Sequence, residues 1–323
     1  MPCYHPIPAW RSSRCVDIKS GKPKLFFKEY KVKCWPGYES LKVPCGQCIG
    51  CRLERSRQWA MRCVHESKMF DSNCFITLTY DDRFLPESQS LVLKDFQNFM
   101  KRLRKRFGAG IRFFHCGEYG TICKTCKKSE IYCVCGRGCF VPSLGRPHYH
   151  ACLFNFDFVD KTFFKESNGC RLYVSNSLQE LWPFGFSLIG DVTFESAAYV
   201  ARYVTKKITG DRASVHYDGK DPEYITMSRR PGIGRSWYDT FKADVFPCDN
   251  VVLNGKVLTP PKYYDRCLES EAPEVLAKLK AKRKAKAERN AADNTPERLK
   301  AKEICKKAQF KQLKRGYENE ESV

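Results

Sequence analysis

Arg146-Pro147-His148-Tyr149-His150-Ala151-Cys152-Leu153-Phe154 is the stretch on which the reading of this chain turns. Successive side chains of an extended strand point to opposite faces, so His148 and His150 share one face and Tyr149 takes the other. Two neutral imidazoles held side by side can bind one divalent metal ion. The 323 residues include 6 histidines, so two of them in three positions are not the product of a histidine-rich background. An HxH triplet alone fits many proteins. Its meaning depends on what the rest of the chain brings to it.

Working outward, residues from about Ile111 to Glu118 read as a second strand, forming a hairpin that puts Glu118 and His148 on neighbouring strands near one end. Cys74-Phe75-Ile76-Thr77-Leu78-Thr79-Tyr80 alternates and is β-branched, a third strand stopped by Asp81-Asp82. Arg52 to about Phe70 reads as a helix with Trp59, Cys63 and Met69 on a loose apolar face. Leu93, Phe96, Met100, Leu103 and Phe107 recur at helical spacing. The other side of that helix carries Lys101, Arg102, Arg104, Lys105 and Arg106, either a solvated face or a patch that contacts a nucleic-acid backbone. Ser177–Trp182 reads as a short helix, Phe186–Phe194 as a strand and Glu195–Ile208 as a helix. The expected fold is α+β, an antiparallel sheet flanked by helices, with Cys-rich insertions and a basic helical C-terminal tail. The expected divisions are an irregular Cys-rich segment (1–51), a main domain (52–250) with a Cys-rich insertion at 121–145, and a basic extension (251–323). From about Glu271 the composition turns to Ala, Lys, Arg and Glu, which reads as solvated helix or disordered basic arm rather than core.

A net charge of +21 points to a polyanion, and nucleic acid fits better than a membrane. No run of about eighteen apolar residues occurs, and the first residues lack a signal-peptide core. Nineteen cysteines, an odd number, argue against a disulfide framework and for reduced thiols. They cluster twice. Cys45, Cys48 and Cys51 form a CxxCxxC run whose fourth partner is either Cys34 or Cys3. Cys123, Cys126, Cys133, Cys135 and Cys139 form the second cluster. Thiolates at two-residue spacing suit a structural Zn²⁺, and the second cluster is the stronger candidate. An iron–sulfur cluster lacks its usual spacing.

On a wheel of about 100° per residue, Ala197, Val200, Ala201, Val204 and Ile208 form an aliphatic stripe. Tyr199, Arg202, Tyr203, Lys206 and Lys207 collect on the other side, with the tyrosines about one turn apart. Such a helix could simply cover surface with its tyrosines. Beside a metal-compatible HxH in a basic protein, it also has a chemical reading. A metal on His148 and His150, with Glu118 as third ligand, acts as Lewis acid on a phosphodiester. A phenol attacks phosphorus and forms a phosphotyrosine, while Lys206 and Lys207 lower the phenol pKa or neutralise the phosphate. The carboxylate favours Mg²⁺ or Mn²⁺.

These motifs resemble a known family. His148-Tyr149-His150 looks like the metal motif of the HUH endonucleases, and Tyr199-Val-Ala-Arg-Tyr203-Val-Thr-Lys-Lys resembles the paired-tyrosine motif of rolling-circle replication initiators. The likeness is greatest to the initiators of microviruses, particularly the gokushovirus branch, over roughly residues 45–210. Phe75–Tyr80 and Phe114–Gly120 share in it, as does the Cys45–Cys51 run with the Arg52-Leu53 and Trp59 that follow. The Cys123–Cys139 insertion departs from it. The resemblance implies a sequence-specific nickase acting in the host bacterial cytoplasm on single-stranded or supercoiled circular origin DNA. It would leave a 5′-phosphotyrosine and a 3′ hydroxyl primer, then close the circle by strand transfer, with a host polymerase and helicase as partners. Four further readings compete. A relaxase or transposase of the HUH group shares the chemistry. A non-enzymatic zinc-stabilised nucleic-acid-binding protein leaves the paired tyrosines unexplained. HxH hydrolases and two-histidine phosphoesterases need ligands or repeats that this chain lacks.

Overall fold

A computed structural model of the chain describes residues 3–17, 21, 23–28, 38–123, 125–126, 142–167, 169–208, 210 and 212–312. It divides into two compact units. One comprises Met1–Glu54 and Ala281–Leu313, and the other Arg55–Lys280.

Along the chain come β1 (Ile7–Val16), β2 (Pro23–Phe26), β3 (Glu39–Val43), α1 (Ile49–Ser67), β4 (Asn73–Thr79), α2 (Leu93–Phe107), β5 (Arg112–Cys123) and β6 (Pro142–Phe154). Then follow β7 (Thr162–Ser167), β8 (Cys170–Val174), α3 (Asn176–Leu181), β9 (Ser187–Gly190), α4 (Phe194–Lys206), α5 (Arg212–Tyr217) and β10 (Tyr224–Met227). Last are α6 (Arg235–Val245), the hairpin β11 (Val251–Leu253) and β12 (Lys256–Leu258), and the helices α7 (Lys262–Glu271), α8 (Pro273–Arg289) and α9 (Pro296–Lys311).

Among the described residues the larger unit is built on a seven-stranded sheet in the order β10-β5-β6-β4-β9-β8-β7, and its pairings are antiparallel. The alternation read from the sequence decides which residues face which layer. Ile76 and Leu78 of β4 and Tyr149, Ala151 and Leu153 of β6 pack against Phe96, Phe99, Met100 and Leu103 of α2. On the other face, Phe75, Phe114, Cys116, Cys152 and Phe154 pack against Ala60 and Cys63 of α1 and Ala197, Val200 and Ala201 of α4. The α+β fold with helices flanking an antiparallel sheet is as expected. At the turn into β9, Gly185 touches the backbone of β4's end. A Cβ there would sit 2.5 Å from the nitrogen of Asp81 and the carbonyl oxygen of Thr79.

Several local expectations change. Residues 1–51 are not irregular throughout: β1 pairs with both β2 and β3 in a three-stranded sheet. Pro8 and a run of Arg and Ser obscure the alternation of β1. The strand expected at Phe186–Phe194 ends at Gly190, because Thr193 and Ser196 form a reciprocal capping box that begins α4 at Phe194. The basic tail is not excluded from the core. Leu276 and Leu279 of α8 are buried with Tyr238, Val245 and Tyr264 in the larger unit. Leu299 of α9 packs on Tyr4 and Cys48 in the smaller one.

Candidate active site

The hairpin β5–β6 and its neighbour β4 bring the site together by register. Glu118 pairs directly with His148, and Cys116 with His150. From the other side, Thr79 pairs with His148 and Thr77 with His150. His148, His150 and Glu118 therefore sit on one sheet face as expected, all buried. Glu118 Oε1 lies 2.9 Å from His148 Nε2 and 2.8 Å from His150 Nε2. Burial alone would raise the Glu118 pKa, but the two imidazoles beside it bring it down to about 2.

The imidazoles are oriented from behind. His150 Nδ1 is 2.9 Å from Thr77 Oγ1. A bulge falls where Gly145 and Arg146 of β6 oppose Gly120 of β5, and here the Arg146 carbonyl accepts from His148 Nδ1 at 3.2 Å. Both rings thus turn Nε2 toward the carboxylate. Tyr149, between the histidines, points to the opposite face, where its hydroxyl accepts from the Val92 N–H at 2.9 Å and meets Tyr80 Oη at 2.9 Å. Sequence reasoning missed Thr77 and Tyr149 as positioning residues. The period-2 pairing of Thr77-Leu78-Thr79 with the HxH strand was the available signal. Glu118, His148 and His150 each offer a ligand atom within 4.8 Å of the others. One carboxylate oxygen and two ring nitrogens converging in a buried pocket fit a divalent cation.

α4 brings in the tyrosine. Tyr199, which the helical wheel sets apart from the aliphatic stripe, is 1% exposed and belongs to the same core cluster as Ala197, Val200 and Ala201. The reason is that α4 is covered on more than one side. It rests on the sheet, and Ser56 of α1 donates to the Ala198 carbonyl at 2.9 Å. The Tyr199 hydroxyl donates to Glu118 Oε1 at 3.2 Å and lies 3.5 Å from His150 Nε2. Its ring meets that of His150 edge-on at 4.9 Å, and the Arg202 guanidinium lies 5.6 Å from its centre. Tyr203 and Lys206 are in the helix, but their side chains lie outside the described residues. Lys207 forms the C-cap and is partly exposed.

The basic residues of α2 lie on the helix that covers the opposite sheet face. Arg102 donates to the Leu181 carbonyl at 2.8 Å, Arg104 donates to the Ile111 carbonyl at 2.7 Å, and Arg106 pairs with Glu180. Lys101 and Lys105 are exposed.

Of the two cysteine clusters, the structure assembles the first. Cys3, Cys45, Cys48 and Cys51 place their sulfurs within 4.8 Å of one another, so Cys3 rather than Cys34 stands as the fourth member; Cys34 lies outside the described residues. Burial would raise Cys48, but the backbone N–H groups of Cys51 and Tyr4, with the thiols of Cys51 and Cys45, bring it down to about 6. A thiolate stabilised by N–H donors among three more thiols fits a tetrahedral Zn²⁺. Of the second cluster, Cys133, Cys135 and Cys139 and the side chain of Cys123 lie outside the described residues, and Cys126 is partly exposed.

Sequence comparison assigns the family: the chain belongs to that of Replication-associated protein ORF2/G2P, whose model matches residues 73–126 and 138–208. It is 34% identical over 253 residues to Replication-associated protein VP4 of Bdellovibrio phage phiMH2K, covering 77% of this chain and 74% of that one. It is 32% identical over 294 residues to Replication-associated protein ORF2 of Spiroplasma virus 4, covering 84% and 81%. Replication-associated protein ORF4 of Chlamydia phage 1 is 27% identical over 243 residues, covering 71% and 55%. No solved structure matches. The family resemblance read from the motifs is borne out. The gap at 127–137 in the family match falls within the Cys-rich insertion that departed from it.

Proposed function

We propose that this protein initiates rolling-circle replication of a small single-stranded DNA phage by nicking origin DNA with a tyrosine nucleophile, in the host cytoplasm. The observation that carries this reading is the Tyr199 hydroxyl, 3.2 Å from Glu118 Oε1 and 3.5 Å from His150 Nε2. Held by Glu118, His148 and His150, Mg²⁺ or Mn²⁺ would supply Lewis-acid stabilisation of a scissile phosphate. Thr77 and the Arg146 carbonyl hold the imidazoles in place for that task.

Tyr199 Oη attacks phosphorus as its proton leaves, the bond from phosphorus to O3′ breaks, and the departing O3′ takes up a proton. The products are a 5′-phosphotyrosine and a 3′ hydroxyl that a host polymerase can extend, with a host helicase opening the duplex ahead. Tyr203, one turn further along α4, is the nucleophile for the second cut. The new 3′ hydroxyl then attacks the first phosphotyrosine, releasing the tyrosine and closing a circle. Lys206 and Lys207, at the end of the same helix, offset phosphate charge. Zn²⁺ on Cys3, Cys45, Cys48 and Cys51 is structural.

The test is covalent capture. Protein incubated with Mn²⁺ and a single-stranded oligonucleotide carrying the phage origin should form an adduct that survives denaturation, and chelation should prevent it. Tyr199→Phe should cut adduct formation sharply, and Tyr199→Phe with Tyr203→Phe should abolish it while leaving binding in place. An adduct persisting in the double variant sinks the assignment.

A further inference from the structure

Away from His148 and His150, the larger unit has a cleft of about 580 Å³ lined by Trp59, Arg62, Arg229, Arg235, Tyr263 and Arg266, together with Cys267 and Ser270. Among the described residues, four arginines line it and no carboxylate does. Arg62 is 7% exposed, and its guanidinium lies 3.9 Å from the ring centres of both Trp59 and Tyr263. Its Nε donates to the Ile233 carbonyl at 2.9 Å. Glu66, one helical turn on, is engaged instead by Arg112 and by the Gly234 N–H. Arg235 is balanced by Asp239 and Glu271. Arg229 and Arg266 are exposed at the rim. A buried cation held between aromatic faces, with two more at the rim and no acid on the wall, is costly unless an anion comes to it.

The cleft is on the same sheet face as the metal-compatible trio. Trp59 stacks on Phe114 of β5 with ring centres 4.9 Å apart, and Phe114 faces the same way as Glu118, four residues along the strand. At about 3.3 Å per residue the cleft starts roughly 13 Å from that carboxylate. A stacked strand, rising about 3.4 Å along its axis per nucleotide, spans that gap in some four nucleotides. The volume is that of a site for a small molecule, enough for a nucleotide or two of backbone and too small for a duplex.

We propose that this arginine cleft grips the phosphodiester backbone of single-stranded DNA a few nucleotides from the cleaved phosphate. The DNA-processing reading above supplies the identity of the polyanion, and the cleft fixes how far the strand's anchored portion lies from Tyr199. Planar guanidinium groups suit paired phosphate oxygens better than ammonium groups do.

The experiment is fluorescence anisotropy with a labelled single-stranded oligonucleotide of mixed sequence, in EDTA, over a range of salt. Arg229→Ala with Arg266→Ala, both at the exposed rim, should weaken binding about tenfold and flatten the log–log salt slope by roughly 1.4, two phosphate contacts' worth. Arg229→Lys with Arg266→Lys should retain most of that slope. Wild-type slope and affinity in the alanine variant, or a lysine variant as weak as the alanine one, would overturn the proposal. Because the measurement needs no cleavage, its outcome is separate from that of the adduct assay. A wild type that binds without forming an adduct would count against the nickase and leave the cleft standing.

Discussion

His148 and His150 owe their aim to atoms outside the motif. Without Thr77 Oγ1 at 2.9 Å, the His150 ring would be free to turn its Nε2 away from Glu118. Thr77→Val keeps the β-branched shape and removes that one bond, and partners of this kind are worth about 10–100-fold in metal affinity. Isothermal titration with Mn²⁺ should therefore show the variant binding at least about tenfold more weakly with little change in melting temperature, and equal affinity would refute the positioning role. At this scale the sequence was legible where chemistry and spacing coincide: His148, His150 and Glu118 lie together as the alternation required. Tyr199 was found by its chemistry, but the wheel separated it from the aliphatic stripe with which it is buried. A wheel sorts residues by one buried side, and α4 is buried by both the sheet and α1. Thr77 escaped notice because a threonine in a strand is ordinary for β propensity.

Elements divide by how much of their pattern the core imposes. β4 and β6 are buried on both faces by helices, so their apolar content marks them as strands, although β6 begins at Pro142 and β5 runs on to Cys123, both inside the insertion expected at 121–145. β7 and β10 are half-exposed strands at the sheet's two ends, with little hydrophobic pattern to reveal them. β1–β3 read poorly for a similar reason, being short or interrupted and largely solvent-facing. Among its described residues, the small unit built on them buries a limited apolar cluster around Tyr4, Cys48 and Leu299, which makes a metal staple valuable. Elemental analysis of purified protein should find about one Zn²⁺ per chain. Cys48→Ser should lose it and expose residues 1–54 to limited proteolysis, leaving the sheet of the larger unit protected. Protein that is free of zinc yet resists proteolysis would rule the staple out.

For the molecule as a whole, a charge of +21 favours polyanions, while stability against acid depends in part on a buried imidazole held neutral. Burial, with Lys68 nearby, drops the His65 pKa to about 3, while its ring stacks on Trp237 at 3.5 Å and bonds to Tyr264 Oη at 2.7 Å. In the unfolded chain this histidine takes up its proton near pH 6.5, so the folded state binds fewer protons between pH 6.5 and 3. Stability is then full above pH 6.5 and is lost as pH falls, at about 1.4 kcal/mol per pH unit. From pH 6.5 to 5 the loss from this group is about 2 kcal/mol. Urea midpoints should fall across that range, and His65→Phe, although weaker at pH 7 for want of its bond to Tyr264, should give a flatter curve. A slope unchanged by the substitution would assign the acid sensitivity elsewhere. The β5–β6 hairpin has a consequence of another kind. Its ladder continues past the bulge through Thr121–Leu144, Ile122–Ser143 and Cys123–Pro142, so the alignment of Glu118 with His148 is locked before the chain reaches the connection between these strands. Drift in the length of that connection is thereby insulated from the pairing of Glu118 with His148. Lineages could lengthen, shorten or exchange it, and an engineer could splice an affinity peptide there, without retuning the chemistry a few residues away.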